Sequence, residues 1–92
     1  MTKKEKYFIK TKYGEYNALI WFGAREKVYF VSIPAFPGVL TEARSVAEAK
    51  RYATDVIELQ CLAAMDEGKL VVDDTRRIYG KQVIPGALKI FA

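Results

Sequence analysis

A chain of 92 residues, 51% hydrophobic and 28% charged with no low-complexity run, encodes one small globular domain and leaves no room for a linker or a second core. The net charge of +4 is too mild to demand nucleic acid as a partner, and much of it comes from early lysines that a solvated terminus also explains. Histidine is absent and Cys61 is the one cysteine, which excludes an internal disulfide and a Cys/His zinc site.

Three strands are predicted first. Residues 6–13 (KYFIKTKY) alternate imperfectly and end at Gly14. Residues 15–22 (EYNALIWF) are rich in aromatic and β-preferring side chains, and 28–33 (VYFVSI) are β-branched or aromatic almost throughout. The turns between them, at Gly14 and over GAREK (23–27), are short, so an antiparallel meander is expected. On the second strand Tyr16, Ala18, Ile20 and Phe22 point one way while Leu19 and Trp21 point the other. On the third, Val28 and Phe30 oppose Tyr29, Val31 and Ile33. Both faces are therefore apolar, whereas a sheet with one wet face alternates more cleanly. Some covering is expected on each side.

GVLTEA (38–43) can add a short fourth strand. Ser45 then opens SVAE, a capping box in which Glu48 returns a bond to the Ser45 amide; the helix is predicted to reach about Glu67, with Gly68 closing it. At about 100° per residue, Val46, Ala49, Tyr52, Ala53, Val56, Ile57, Leu59, Ala63 and Ala64 share one arc. Lys50, Arg51, Thr54, Asp55 and Glu58 lie opposite, and Leu62, Met65 and Cys61 interrupt that outer side. Such a helix, about 33 Å long, covers one face of a small sheet and no more. KLVV (69–72) and ALKIFA (87–92) are further strand candidates, with turns at DDTRR and IPG. The predicted fold class is α+β: an antiparallel three- to four-stranded sheet packed on one long helix. Residues 16–69 form its core, 1–14 an N-terminal extension or extra strand, and 70–92 a C-terminal strand or tail.

Little in the sequence looks catalytic, and no enzyme activity is expected. Without histidine the usual base near neutral pH is missing, and Cys61 lacks its ordinary activator; it reads as a small apolar residue at the edge of a helix contact. Asp66–Glu67 and Asp73–Asp74 read as solvated charges at a helix end and in a turn, not as a cation site. No glycine-rich phosphate loop occurs, and no cofactor is expected. EKVYFVSI (26–33) is the nearest approach to an RNA-recognition signature, but Glu26 stands where a base is wanted. No apolar run approaches the ~20 residues of a membrane span, and no signal-peptide core follows the first lysines; no membrane partner is expected, and the expected location is cytoplasmic.

The most distinctive local feature is the turn after the third strand. Pro34 and Pro37 fix their own φ and push Ile33 and Phe36 toward extended geometry, while Gly38 tolerates unusual dihedrals. A loop stiffened this way loses little entropy on meeting a partner. Phe36 either stands displayed on it or lids the core. The run YFVSIPAFPGVLTEARSVAEA (29–49) resembles the signature of the HicB-like antitoxin family, in which a strand ends in a Pro-x-hydrophobic-Pro-Gly turn before a Thr and a Ser-capped helix. Ile33, Pro34, Phe36, Pro37, Gly38, Thr41, Ser45, Glu48 and Ala49 match that pattern position by position, and DVIELQCLAAMDEGK (55–69) is similar to the family's helix and its exit. The Gly–Ile–Pro feature of the family falls at Gly80–Pro85, further from the helix than is usual there.

The resemblance implies a partly degenerate RNase-H-like arrangement of strands against one helix. It also implies association as a homodimer or higher homo-oligomer, and neutralisation of a HicA-type mRNA-cleaving toxin by masking of its active site. The DNA-binding module of many antitoxins has no counterpart, so direct DNA binding is not expected of this chain. Ile33, Pro34, Phe36, Pro37 and Thr41 are the partner-binding candidates. Leu19, Trp21, Tyr29, Leu62 and Met65 are the candidates for self-association. The alternative function is a stand-alone self-associating interaction protein of the same fold, with RNA binding third.

Overall fold

The computed structural model describes residues 3–80. Strands β1 (Glu5–Thr11), β2 (Gly14–Gly23), β3 (Val28–Ser32) and β4 (Leu40–Ala43) form one antiparallel sheet in the order β1-β2-β3-β4, and helix α1 (Val46–Asp66) packs against it. The two-residue strands β5 (Val71–Val72) and β6 (Ile78–Tyr79) pair as a separate antiparallel ribbon. The α+β class is the predicted one, and the N-terminal segment is a full edge strand. The strand candidate at 87–92 and the IPG turn lie outside the described residues.

Register decides which side chains share a face. Ile9 pairs with Tyr16, Ile20 with Val31, and Val31 with Thr41. This aligns Ile9, Tyr16, Ala18, Ile20, Val31 and Ala43 on one face, where all are buried in the core. From the helix, Ala49, Ala53, Ile57 and Cys61 meet them at four-residue spacing. Alanines at Ala18, Ala43, Ala49 and Ala53 let helix and sheet approach closely, and Tyr16 and Ile57 fill the wider end.

The buried stripe corrects the predicted arc. Residues four apart drift about 40° round the helix, so a stripe through Ala49, Ala53, Ile57 and Cys61 runs obliquely to the axis. Cys61 is at the centre of the contact, not its edge, and Leu59, placed in the arc from the sequence, is 64% exposed. The ends follow the sequence more closely. The Ser45 hydroxyl accepts from the Glu48 amide at 3.1 Å, while the Glu48 carboxylate accepts from Arg44 N–H at 2.8 Å rather than from Ser45. At the other end Gly68 N–H donates to Met65 O and Lys69 N–H to Ala64 O, the paired bonds of a Schellman cap. Among the described residues no helix is long and apolar enough to cross a membrane.

Where β3 leaves the sheet, the ribbon takes over. β3 pairs with β2 only as far as Ser32 opposite Leu19, and Pro34, which has no N–H, cannot continue the ladder. The first half of β2 would thus have bare amides on that side. Asp73 and Asp74 satisfy them: Glu15 N–H donates to Asp73 Oδ2 at 2.8 Å, Asn17 N–H to Asp74 Oδ2 at 2.7 Å, and Asp74 N–H to Glu15 O at 3.0 Å. Asp73 Oδ1 also accepts from Thr75 N–H, the Thr75 hydroxyl and Arg77 N–H, which closes the β5–β6 turn. Burial would raise the Asp73 pKa, but the bonds from Glu15, Thr75 and Arg77 outweigh it and hold it at about 2. Asp73 is thus no solvated loop charge; it is 4% exposed and locks the ribbon to the sheet. Gly14 makes the close approach possible, because its φ is +109° and a Cβ there would collide with the Asp73 side chain.

Candidate docking surfaces

Two successive turns build the loop between β3 and β4. Phe36 N–H donates to Ile33 O at 2.9 Å with Pro34 at the first central position. Val39 N–H then donates to Phe36 O at 3.3 Å, with Pro37 first and Gly38, at φ +91°, second. Proline followed by a glycine of positive φ is the requirement of a type II turn. The Phe36 ring packs on Tyr16 at a centroid separation of 5.8 Å, so it lids the core rather than standing displayed.

The partner-binding candidates therefore separate. Pro34 and Pro37 are exposed, together with Ala35 and Gly38 between them. Ile33 is 2% exposed and belongs to the core, which removes it from any contact surface. Its side chain shares the inner face with Val31, two residues back along the chain. Thr41 is half-buried, paired across from Val31 on the same face. Phe36 acts as the anchor that fixes the exposed prolines in place.

The self-association candidates separate too. Leu19 and Trp21 lie on the outer face of the sheet, opposite the helix, alongside Phe8, Phe30 and Leu40. Phe8 is 50% and Leu40 59% exposed there. Tyr29 is not among them: Phe30 is the residue that pairs with Trp21, and Tyr29 points inward, against the core and the edge of Phe22. Alternation by two places neighbours on opposite faces, so only one of Tyr29 and Phe30 can join Trp21. Leu62 and Met65 are elsewhere again, on α1, lining with Tyr13 and Tyr79 a cleft of about 410 Å³ near the helix end. Met65 also packs against the core.

The outer face carries charge at both edges. Lys6 and Lys10 lie on β1 and Glu42 on β4, and Lys4 Nζ stands 4.3 Å from the centre of the Trp21 ring. The Trp21 and Phe30 rings are 5.7 Å apart, tilted by 34°. Of the described elements, α1 packs on the inner face, and the β5–β6 ribbon contacts α1 and the β2 edge.

Cys61 is sealed inside. The single Tyr16 hydroxyl proton goes to Tyr13 O at 2.8 Å, so the thiol donates to the Tyr16 oxygen across 3.4 Å. Burial raises both the Tyr16 and the Cys61 pKa. A thiol reagent is expected to modify Cys61 only as fast as the domain opens; labelling of native protein at the rate of the denatured chain would contradict this burial. Among the described residues no cluster of histidine, cysteine and acidic side chains could hold a metal ion. No family model, curated protein or solved structure matches the chain.

Proposed function

We propose that this chain is a cytoplasmic docking protein of antitoxin type, a HicB-like domain with a partly degenerate RNase-H-like arrangement. It covers the active site of a HicA-type mRNA-cleaving toxin and associates with itself. The observation that supports this reading is the doubly turned Pro34–Gly38 loop. Its two prolines are exposed while Phe36 ties its backbone to Tyr16 in the core. A surface so fixed before binding suits inhibition by occlusion, which needs shape and no reaction. The second reading, an interaction protein without a toxin, draws on the apolar outer face of the sheet instead.

Co-expression with a HicA-type toxin encoded beside it tests the proposal. The chain is expected to restore growth and to co-purify with the toxin. Pro37→Ala should weaken the complex by roughly tenfold, more than it lowers folding stability. Unrelieved toxicity with no complex would overturn the antitoxin reading. A stability loss that matches the binding loss would return the turn to a purely structural role.

A further inference from the structure

We propose that two copies of this chain stack outer face on outer face about a two-fold axis running along the strands. This rests on the reading of the outer sheet face as an association surface, and it names the occupant and the orientation.

One row of side chains across the outer face is complementary to its own reverse. Lys4 lies over Trp21, Trp21 pairs with Phe30, and Phe30 pairs with Glu42. Read across the sheet from β1 to β4 the row is cation, aromatic, aromatic, anion. Rotation about an axis along the strands keeps each row at its height and reverses strand order. β1 then faces β4 of the second copy, and β2 faces β3. The row thus meets its own reverse: Lys4 faces Glu42, and Trp21 faces Phe30, each pair occurring twice as a two-fold contact requires.

The neighbouring rows agree. In one, Lys6, Leu19, Ser32 and Leu40 are aligned, so the Lys6 stem would lie on the exposed Leu40 with its ammonium reaching water. In the other, Gly23 pairs with Val28, so a residue without a side chain would meet a branched one. The alternative face-to-face two-fold, with its axis across the strands, sets β1 on β1. It would bring the basic Lys4–Lys6–Lys10 edge of one copy against the same edge of the other, and the Glu42 edge against the Glu42 edge. Like charges so placed oppose association. Aligned sheets pack about 10 Å apart and about 30° from parallel, a geometry that Trp21 and Phe30 can fill. Four short strands make a small interface, so a dissociation constant in the micromolar range is expected.

Sedimentation of the full chain across the micromolar range tests this, with Trp21, the single tryptophan, as an independent fluorescence reporter of dilution. The wild type is expected to shift from a dimer to the 10.4 kDa monomer on dilution, with a red shift of the Trp21 emission. Lys4→Glu and Glu42→Lys should each weaken the dimer by roughly tenfold, since each turns two attractive pairs repulsive. A one-to-one mixture of these two variants should regain wild-type affinity, because in the mixed dimer every charge again faces its opposite. Both residues are exposed, so the variants are expected to fold, and circular dichroism of each checks this. If Trp21→Asp leaves the dimer intact, the outer face is not the interface. If Trp21→Asp dissolves the dimer but the mixture does not recover, the association surface stands and the two-fold along the strands is wrong. A wild type that stays monomeric, or that binds single-stranded RNA through this face as a monomer, overturns the proposal.

Discussion

Replacing Asp73 with asparagine is expected to lower the melting temperature at neutral pH by on the order of 10 °C and to flatten the acid side of the stability profile. The carboxylate accepts from Glu15, Thr75 and Arg77, and an amide nitrogen in place of either oxygen would face these donors with a donor of its own. The sign of the pH effect follows from the depressed pKa. Asp73 titrates at about 2 in the folded chain and near 4 when unfolded, so its contribution is complete above about pH 4 and is lost as pH falls toward 2. Thermal melts from pH 7 down to 2 check this. Wild type should lose stability across that window more steeply than the variant, and parallel profiles would show that Asp73 does not lock the ribbon. A two-residue strand pair has little stability of its own, so loss of this lock should also expose the β2 amides at Glu15 and Asn17 to hydrogen exchange.

Ile57→Ala is expected to destabilise the fold by about 3 kcal/mol, whereas Leu59→Ala should change stability by less than about 0.5 kcal/mol. The two residues are close in sequence and fell in one predicted arc, yet Ile57 is fully buried in the core and Leu59 points to solvent. Urea titrations distinguish them. Equal losses would mean that the helix is rotated from this orientation. The alanines of the same core cluster give its cavity little chance to close, since Ala18, Ala49 and Ala53 have no side-chain freedom with which to fill it.

These effects bear on the proposed function because both candidate docking surfaces are hung on this frame. The prolines are fixed through Phe36 on Tyr16, and Tyr16 in turn is fixed through Tyr13 and Cys61. The outer face is continuous only while β2 stays paired along its length, and β2 is completed on one side by β3 and then by the acidic pair of the ribbon. Burial of Cys61 therefore helps hold the frame on which the proposed binding surfaces rest.

Local chemistry was enough to set the four strands of the main sheet, the Ser45 cap, the Gly68 exit and the proline turns, because each depends on residues within a few positions of one another. Alternation by two likewise fixed that both sheet faces are apolar. Three things needed the tertiary structure. The buried helix stripe differs from the predicted arc because a helical wheel gives angles but not the oblique line along which a twisted sheet meets them; Cys61 is buried and Leu59 exposed. Tyr29 and Phe30 could be told apart only relative to Trp21, through the strand register that pairs Phe30 with it. Asp73 was hardest: Asp-x-Thr signals a local turn, but the amide of Glu15, 58 positions away, is what makes its carboxylate structural. No local pattern could reveal that partner, since the open β2 edge exists only after β3 has turned away at Pro34.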